Sequence, residues 1–325
     1  MNLKKALTLL LAVVLTLSLF ACAPADDGEG VKVRVAALSG ATGLGMAKLM
    51  EDAAQGTAKN DYSFDVYDAP EVLLPEITSD KYDIAALPTN VAAKLYNNTK
   101  GKIQILALNT LGVLYMLEIG TSNVKSIADL RGKTIYTTGQ GSTPEYMLKY
   151  VLEKNGLTVG TDVQIVFETT ADGVVSHAAE GAVLMLPEPK VTAVKGQLGN
   201  VTVALNMTDE WNKVCSTPLA QGCVVVNKEF AAKNPEAVAA FLEEYEASIT
   251  YVRENAAAAS LLVEKFKIIP KAALAEKAIP NSNLTFLAGK DMKAALVPLY
   301  QVLFNAQASS VGGALPADDF YYGAN

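Results

Sequence analysis

Alternating β and α signals along most of the 325 residues predict an α/β protein of two units, each a mixed, mostly parallel sheet flanked by helices. Three observations carry this expectation. Short β-branched runs alternate with amphipathic stretches, as parallel strands require, because their connections must cross over. A second series with the same rhythm starts after Val113–Ile119. The chain also exceeds the usual size of a single core, and with half its residues hydrophobic it has material for two.

The first series opens with Val31–Leu38 (VKVRVAAL), a β-type run that ends at Ser39-Gly40-Ala41-Thr42-Gly43. Met46, Leu49, Met50 and Ala53 then recur at the three-and-four spacing of one helical face. Further strands are expected near Ser63–Tyr67, Tyr82–Leu87 and Ile103–Asn109, with helices between them. The second series comprises Val113–Ile119, Lys133–Thr138, a helix from about Pro144 to Asn155 closed by Gly156, then Val163–Glu168, Ala182–Leu186 and Val201–Leu205. The segment from Asn206 through Trp211 to Thr217-Pro218 reads as an exit from this unit. Gly222–Asn227 is one more strand, and the remainder reads as largely helical. Asn234-Pro235-Glu236 is a helix start, followed by the stripe Val238, Phe241, Leu242, Tyr245, Ile249 and Val252, which belongs to a core. A last helix, about Lys290–Ala306, carries Pro298 inside, where a bend is expected.

Ahead of the first strand, Lys4 and Lys5 precede an uncharged apolar run, Ala6–Phe20, and Leu19-Phe20-Ala21-Cys22 places a small residue before a cysteine. The run is short for a spanning helix and suits a cleaved leader. It resembles a bacterial lipoprotein signal, which implies removal of residues 1–21, lipid on Cys22, and a tether over residues 22–30 on the extracytoplasmic face of a cell membrane. Loss of Lys4 and Lys5 takes the formal net charge of −7 to about −9. An acidic exported chain without basic clusters is not expected to bind nucleic acid. Besides Cys22 there are only Cys215 and Cys223. They are a possible disulfide or two buried thiols, and their spacing fits no zinc site. No metal and no cofactor are expected.

Three turns follow strands and precede helices: Ser39–Gly43, Pro88–Asn90 and Gly139–Thr143. At the carboxyl ends of an open α/β sheet such turns line ligand clefts, and each offers helix N-terminal amides and hydroxyls. Ser39, Thr42, Gly43, Pro88, Thr89, Asn90, Gly141, Ser142 and Thr143 are therefore candidate ligand contacts. The competing view makes their hydroxyls helix caps worth about 1 kcal/mol each. Glu188, held between two prolines, is a further candidate, for an amine, or else a solvated loop carboxylate. Asn109 and Gln221 lie near the expected connections between units. Trp211 and Tyr136 offer stacking surfaces or core, and His177 is expected to be exposed.

Five segments in order carry a family resemblance: Tyr82–Pro88 (YDIAALP), Ile127–Lys133 (IADLRGK), Gly141-Ser142-Thr143, Leu186-Pro187-Glu188-Pro189 and Asn234-Pro235-Glu236. Together they resemble solute-binding lipoproteins of ABC importers with the type II periplasmic-binding-protein fold, in the group that includes sulfonate, taurine, nitrate and thiamine-precursor binders. The resemblance implies two lobes, residues 31–111 plus 218–325 and residues 112–217, with ligand between them. It also implies a monomeric, non-enzymatic binding protein that passes a small organic solute, with an anionic or carbonyl-rich end, to an ABC permease and its ATPase. No arginine accompanies the three turns, which weighs against a strong anion.

Other function classes find less support in the same residues. Gly40-Ala41-Thr42-Gly43-Leu44-Gly45 follows a strand, but its spacing is not that of a dinucleotide fingerprint, and no phosphate loop, nucleophile elbow or zinc-protease helix is present. A same-fold enzyme of cofactor metabolism and a tethered ligand sensor without a permease stand as alternatives.

Overall fold

A computed structural model describes residues 30–324 of the chain. The leader, Cys22 and all of the tether except Gly30 lie outside the described residues. Among the described residues eleven strands form two open sheets. The first contains β1 (Lys32–Leu38), β2 (Asp61–Tyr67), β3 (Ile84–Pro88), β4 (Ile103–Thr110), β10 (Gly222–Asn227) and β11 (Leu284–Ala288), in the spatial order β11-β4-β10-β3-β1-β2. The second contains β5 (Leu114–Ile119), β6 (Thr134–Thr137), β7 (Gln164–Phe167), β8 (Val183–Pro187) and β9 (Val201–Asn206), in the order β7-β6-β8-β5-β9.

Both sheets repeat one plan. β1 runs parallel to β2 and β3, and β6 runs parallel to β7 and β8. In each sheet one inner strand is reversed, β10 being antiparallel to β3 and β4, and β5 to β8 and β9, and in the first sheet the edge strand β11 is also antiparallel to β4. The reversed inner strand is where the chain arrives from the other sheet, so two connections join them, Leu111–Val113 and Cys215–Gln221.

The sheets hold together because their strands are apolar on both faces, as parallel strands covered by helices must be. Val33, Val35, Ala37, Ile84, Ala86, Val224 and Val226 pack under helices Ala47–Ala54, Pro235–Glu254 and Ala256–Lys265. From the opposite face, Ala36, Leu38, Leu87, Ile105 and Val225 join a cluster that continues through Leu114, Met116, Ile135, Met185 and Leu205 of the second sheet. The apolar stripe read in Pro235–Glu254 is core: Val238, Phe241, Tyr245, Ile249 and Val252 are buried, and Leu242 packs at its edge.

Polar residues of the resembling segments pin this plan. The Asp83 carboxylate accepts from the Arg34 backbone N–H at 2.9 Å and from its guanidinium at 2.9 and 2.6 Å, locking β3 against β1. Asp129 Oδ2 accepts from the backbone N–H groups of Lys125 and Ser126 and from the Ser126 hydroxyl, a capping box at the turn Ile127–Leu130. Buried Glu118 takes the Val124 N–H and the Thr121 hydroxyl at 2.9 Å each.

Two details depart from the sequence reading, and a third decides between its two alternatives for the cysteines. β11 interrupts the helical C-terminal part as an edge strand on β4. The exit segment holds a helix, Met207–Val214, capped by Asn206, whose side chain accepts from the Thr208 N–H at 3.0 Å. Cys215 and Cys223 form no disulfide and both thiols are free. Cys223 is fully buried on β10 and donates to the Leu87 carbonyl at 3.3 Å, whereas Cys215 ends the helix on the other sheet, so the two side chains face different surroundings.

Candidate functional site

The three turns meet. A chamber of about 250 Å³ lies between the sheets, lined by Thr42 of the first turn, Pro88 and Asn90 of the second, and Ser142, Thr143 and Pro144 of the third. Pro70, Glu71 and Val91 complete one side. Thr110 comes from the end of β4, and Val113 and Gln221 from the two connections. The chamber is therefore built from strand ends and from the crossings, the location expected for ligands of open α/β sheets.

Each wall has a reason in the local sequence. Gly43 lets the first turn fold tightly back on β1: a Cβ there would sit 1.9 Å from the Leu38 carbonyl oxygen. Asn109, on β4, donates to the Thr42 carbonyl at 3.1 Å and to the Tyr245 hydroxyl at 2.9 Å, fixing that turn from below. Gly139 and Gly141 adopt φ of 85° and 73°, a region that disfavours any side chain, which lets the third turn reverse before Ser142. Gln221 ties the connections together. Its N–H donates to the Thr110 carbonyl at 3.0 Å, and its side-chain oxygen accepts the Val113 N–H at 2.6 Å.

The capping alternative fails at these turns, because no side chain caps the helices that start at Ala41, Thr89 or Thr143. The Ser142 hydroxyl donates to the Gly139 carbonyl at 2.6 Å and the Thr89 hydroxyl to the Ala220 carbonyl at 2.8 Å. Two side chains differ from these. Asn90, 1% exposed, has neither its amide nitrogen nor its amide oxygen bonded, and the hydroxyl of Thr143, 3% exposed, is also without a partner. Buried polar atoms are nearly always paired, so unpaired ones at a chamber wall mark where a partner belongs.

The electrostatics are modest. Glu71 is the only ionisable residue in the lining. The N-terminal amide at Gly141 is already taken, donating to Glu145 Oε2 at 2.6 Å. Burial alone would raise the Glu145 pKa, but the Gly141 N–H and the Lys149 ammonium outweigh it and hold the carboxyl below its usual range. Lys94, in the adjoining groove between helices Pro70–Thr78 and Thr89–Asn98, points its ammonium at the Gly141 carbonyl, 3.4 Å away.

Of the candidates read from the sequence, Thr42, Pro88, Asn90, Ser142 and Thr143 reach the chamber. Ser39, Gly43, Thr89 and Gly141 shape its walls from behind. Glu188 stays outside the lining. Its carboxylate accepts the N–H and hydroxyl of Thr192, at 3.2 and 3.0 Å, at the start of helix Lys190–Leu198. Trp211 is fully buried and donates to the Thr217 carbonyl at 2.7 Å, so it is core. His177 is half-buried, stacked on Tyr136 with ring centroids 4.1 Å apart and bonded to Glu168 at 2.7 Å, away from the chamber. Pro70 and Glu71, which open the helix after β2, and Thr110 and Val113, at the crossing between sheets, escaped the sequence reading. Among the described residues no group of three or more His, Cys, Asp or Glu could hold a metal, and no helix is long and apolar enough to cross a membrane.

Comparison with known proteins agrees with this geometry. Residues 103–259, just under half the chain, match the family described as NMT1/THI5 like. No curated protein matches the sequence. An ABC transporter protein from Parabacteroides distasonis superposes with a TM-score of 0.74 at 21% identity, over 90% of this chain and 98% of that one. The periplasmic aliphatic sulphonate binding protein of Escherichia coli gives 0.70 at 17% identity, over 88% and 92%. The ligand-binding component of an ABC-type import system from Staphylococcus aureus gives 0.66 at 13%, over 90% and 96%. The chain shares their two-lobed fold of mixed sheets flanked by helices.

Proposed function

We propose that this chain, which carries an NMT1/THI5-like segment on a periplasmic-binding-protein fold, is the extracytoplasmic solute-binding component of an ABC importer. The observation that carries the reading is the pair of unpaired buried side chains, Asn90 and Thr143, contributed to one chamber by different sheets. A solute seated there bridges residues 31–111 plus 218–325 on one side and residues 112–217 on the other. Solute thus favours the state in which the lobes are together, and the permease reads that state. The residues proposed to contact or shape the site are Ser39, Thr42, Gly43, Pro88, Thr89, Asn90, Gly141, Ser142 and Thr143. Glu188 contributes by holding the helix beside the lobe junction.

Binding without chemistry is the role favoured over an enzyme. The chamber lining offers no His, Cys, Lys or Arg to act as base, nucleophile or cation, and the structural neighbours named above include binding proteins of transporters. A thermal-shift screen of sulfonates, thiamine precursors, nucleobases and flavins tests the reading. A true ligand at 100 times its dissociation constant adds roughly 2.7 kcal/mol of stability. The reading falls if a ligand so found binds Thr42→Ala and Thr143→Val variants as tightly as the parent. Lipid attachment at Cys22 belongs to the same proposal, resting on the Lys4–Cys22 segment. Cys22→Ser should then release the protein from the membrane fraction or leave it unprocessed, and an unchanged membrane-bound mature form would refute attachment there.

A further inference from the structure

We infer that the solute presents a planar, uncharged edge with a hydrogen-bond donor beside an acceptor, as in a lactam, imide or primary amide, and that Asn90 reads this edge through both ends of its carboxamide. The inference rests on the binding reading above and narrows its ligand class. Its first support is the state of Asn90. Both Nδ2 and Oδ1 are buried and unbonded, on a residue that lines the chamber. A carboxamide carries two donors and an acceptor, and leaving all of them unmet in a buried position is costly. One rigid partner meets a donor and the acceptor together if it offers the complementary pair, the geometry by which Asn or Gln grips the adenine edge in nucleic-acid recognition.

The second support is charge. A sulfonate, carboxylate or phosphate would enter a chamber with no Lys, Arg or His in its lining and with Glu71 as its one ionisable residue. The backbone amide at Gly141, just ahead of helix Thr143–Lys154, is already bonded to the Glu145 carboxylate, which places a second negative charge beside the third turn. An anion gains from a helix N-terminus, and at the third turn part of that gain is already met by Glu145 of the chain itself. A neutral edge loses nothing from this arrangement. The unpaired Thr143 hydroxyl can then donate to a second carbonyl of the same molecule, or accept from it.

The test is calorimetric titration of the full chain with four probes: uracil, 1,3-dimethyluracil, benzamidine and taurine. Uracil should bind, and 1,3-dimethyluracil, which lacks N–H donors, should bind far more weakly. Asn90→Leu should weaken uracil by about 5- to 150-fold, the discrimination expected of one bidentate pair. Asn90→Asp should reverse the preference, because a carboxylate only accepts and benzamidine offers two donors. Melting curves establish that each variant is folded. If taurine binds, with an affinity that falls in Thr143→Val and ignores both Asn90 substitutions, the cleft function stands and this inference is overturned. Failure of uracil to bind, or uracil binding within twofold of the parent in Asn90→Leu, also overturns it. Should neither Asn90 nor Thr143 matter to any probe that binds, the cleft reading falls as well.

Discussion

Thr143→Val is expected to make the free protein more stable and its ligand binding weaker. The Thr143 hydroxyl is buried and unbonded at the chamber wall, so in the free protein it contributes only its desolvation penalty, of order 1–3 kcal/mol. Valine keeps the β-branched shape and removes that penalty. Residue 143 opens helix Thr143–Lys154 with no side-chain cap, so no cap is lost. A net gain of about 1 kcal/mol should raise the melting temperature by roughly 2–4 °C in a chain of this size. The bound state loses one hydrogen bond to a neutral partner, about 0.5–1.5 kcal/mol, or roughly two- to thirteenfold in Kd. Scanning calorimetry reads the first effect and titration with the solute found by screening reads the second. A lower melting temperature with unchanged Kd would refute the reasoning, since it would give the hydroxyl a structural partner and no ligand.

Three further outcomes are expected. Gly141→Ala should cost about 1–2 kcal/mol in urea unfolding from its φ of 73° alone, because a Cβ there meets nothing within 4 Å; a neutral effect would mean the turn relaxes to negative φ. Burial raises the Glu188 pKa, and its bonds to Thr192 only partly offset this, so the folded state holds the proton more tightly than the unfolded one. The stability contributed by that proton is full below the unfolded value of about 4.3 and is lost as pH rises through the folded one. Glu188→Gln, which keeps an oxygen for Thr192, should thus match the parent near pH 4 and exceed its stability at pH 7, and a difference that does not change with pH would contradict this. Iodoacetamide without reductant should label Cys215 in the native protein and Cys223 only after unfolding, since Cys223 is buried with its thiol pKa pushed up; a chain that labels at neither residue in urea would contain the bridge that the structure lacks.

Much of the fold was legible because its strands announce themselves. Val35–Leu38, Leu114–Leu117 and Cys223–Val226 are apolar on consecutive positions, the pattern of strands buried on both faces. β11 was not legible: Leu284–Ala288 is five residues long and lies between helices, and its pairing to β4 breaks register between Leu284 and Leu287. The chamber was half legible. Thr42, Asn90 and Thr143 lie in turns that follow strands, and the logic of the sheet places such turns at one edge. Glu71 lies in the turn after β2, which carries none of the glycines or hydroxyls that marked the other turns, and Val113 reaches the same space from the crossing between sheets. Thr89 and Asn90 show the limit most sharply. They are neighbours with similar chemistry, yet Thr89 is consumed by a bond to Ala220, 131 residues away, and Asn90 is left free. Nothing local distinguishes them.

The two connections between the sheets have a mechanical consequence. A single covalent strand acts as a ball joint, about which a body can swing in any direction. Here Leu111–Val113 and Cys215–Gln221 run side by side, stitched by the bonds of Gln221 to Thr110 and Val113. Gly112 is pinched where a Cβ would lie 2.1 Å from the Thr208 hydroxyl, and its carbonyl accepts from Asn283. Two parallel straps sewn along a line behave as a door hinge: they resist swivel and sideways slip and leave one easy rotation. On the proposed binding role, Thr42 and Ser142 would travel on fixed arcs and meet in the same register each time the door shuts. Alignment of the two walls would then be a property of the seam, set before any proposed solute arrives.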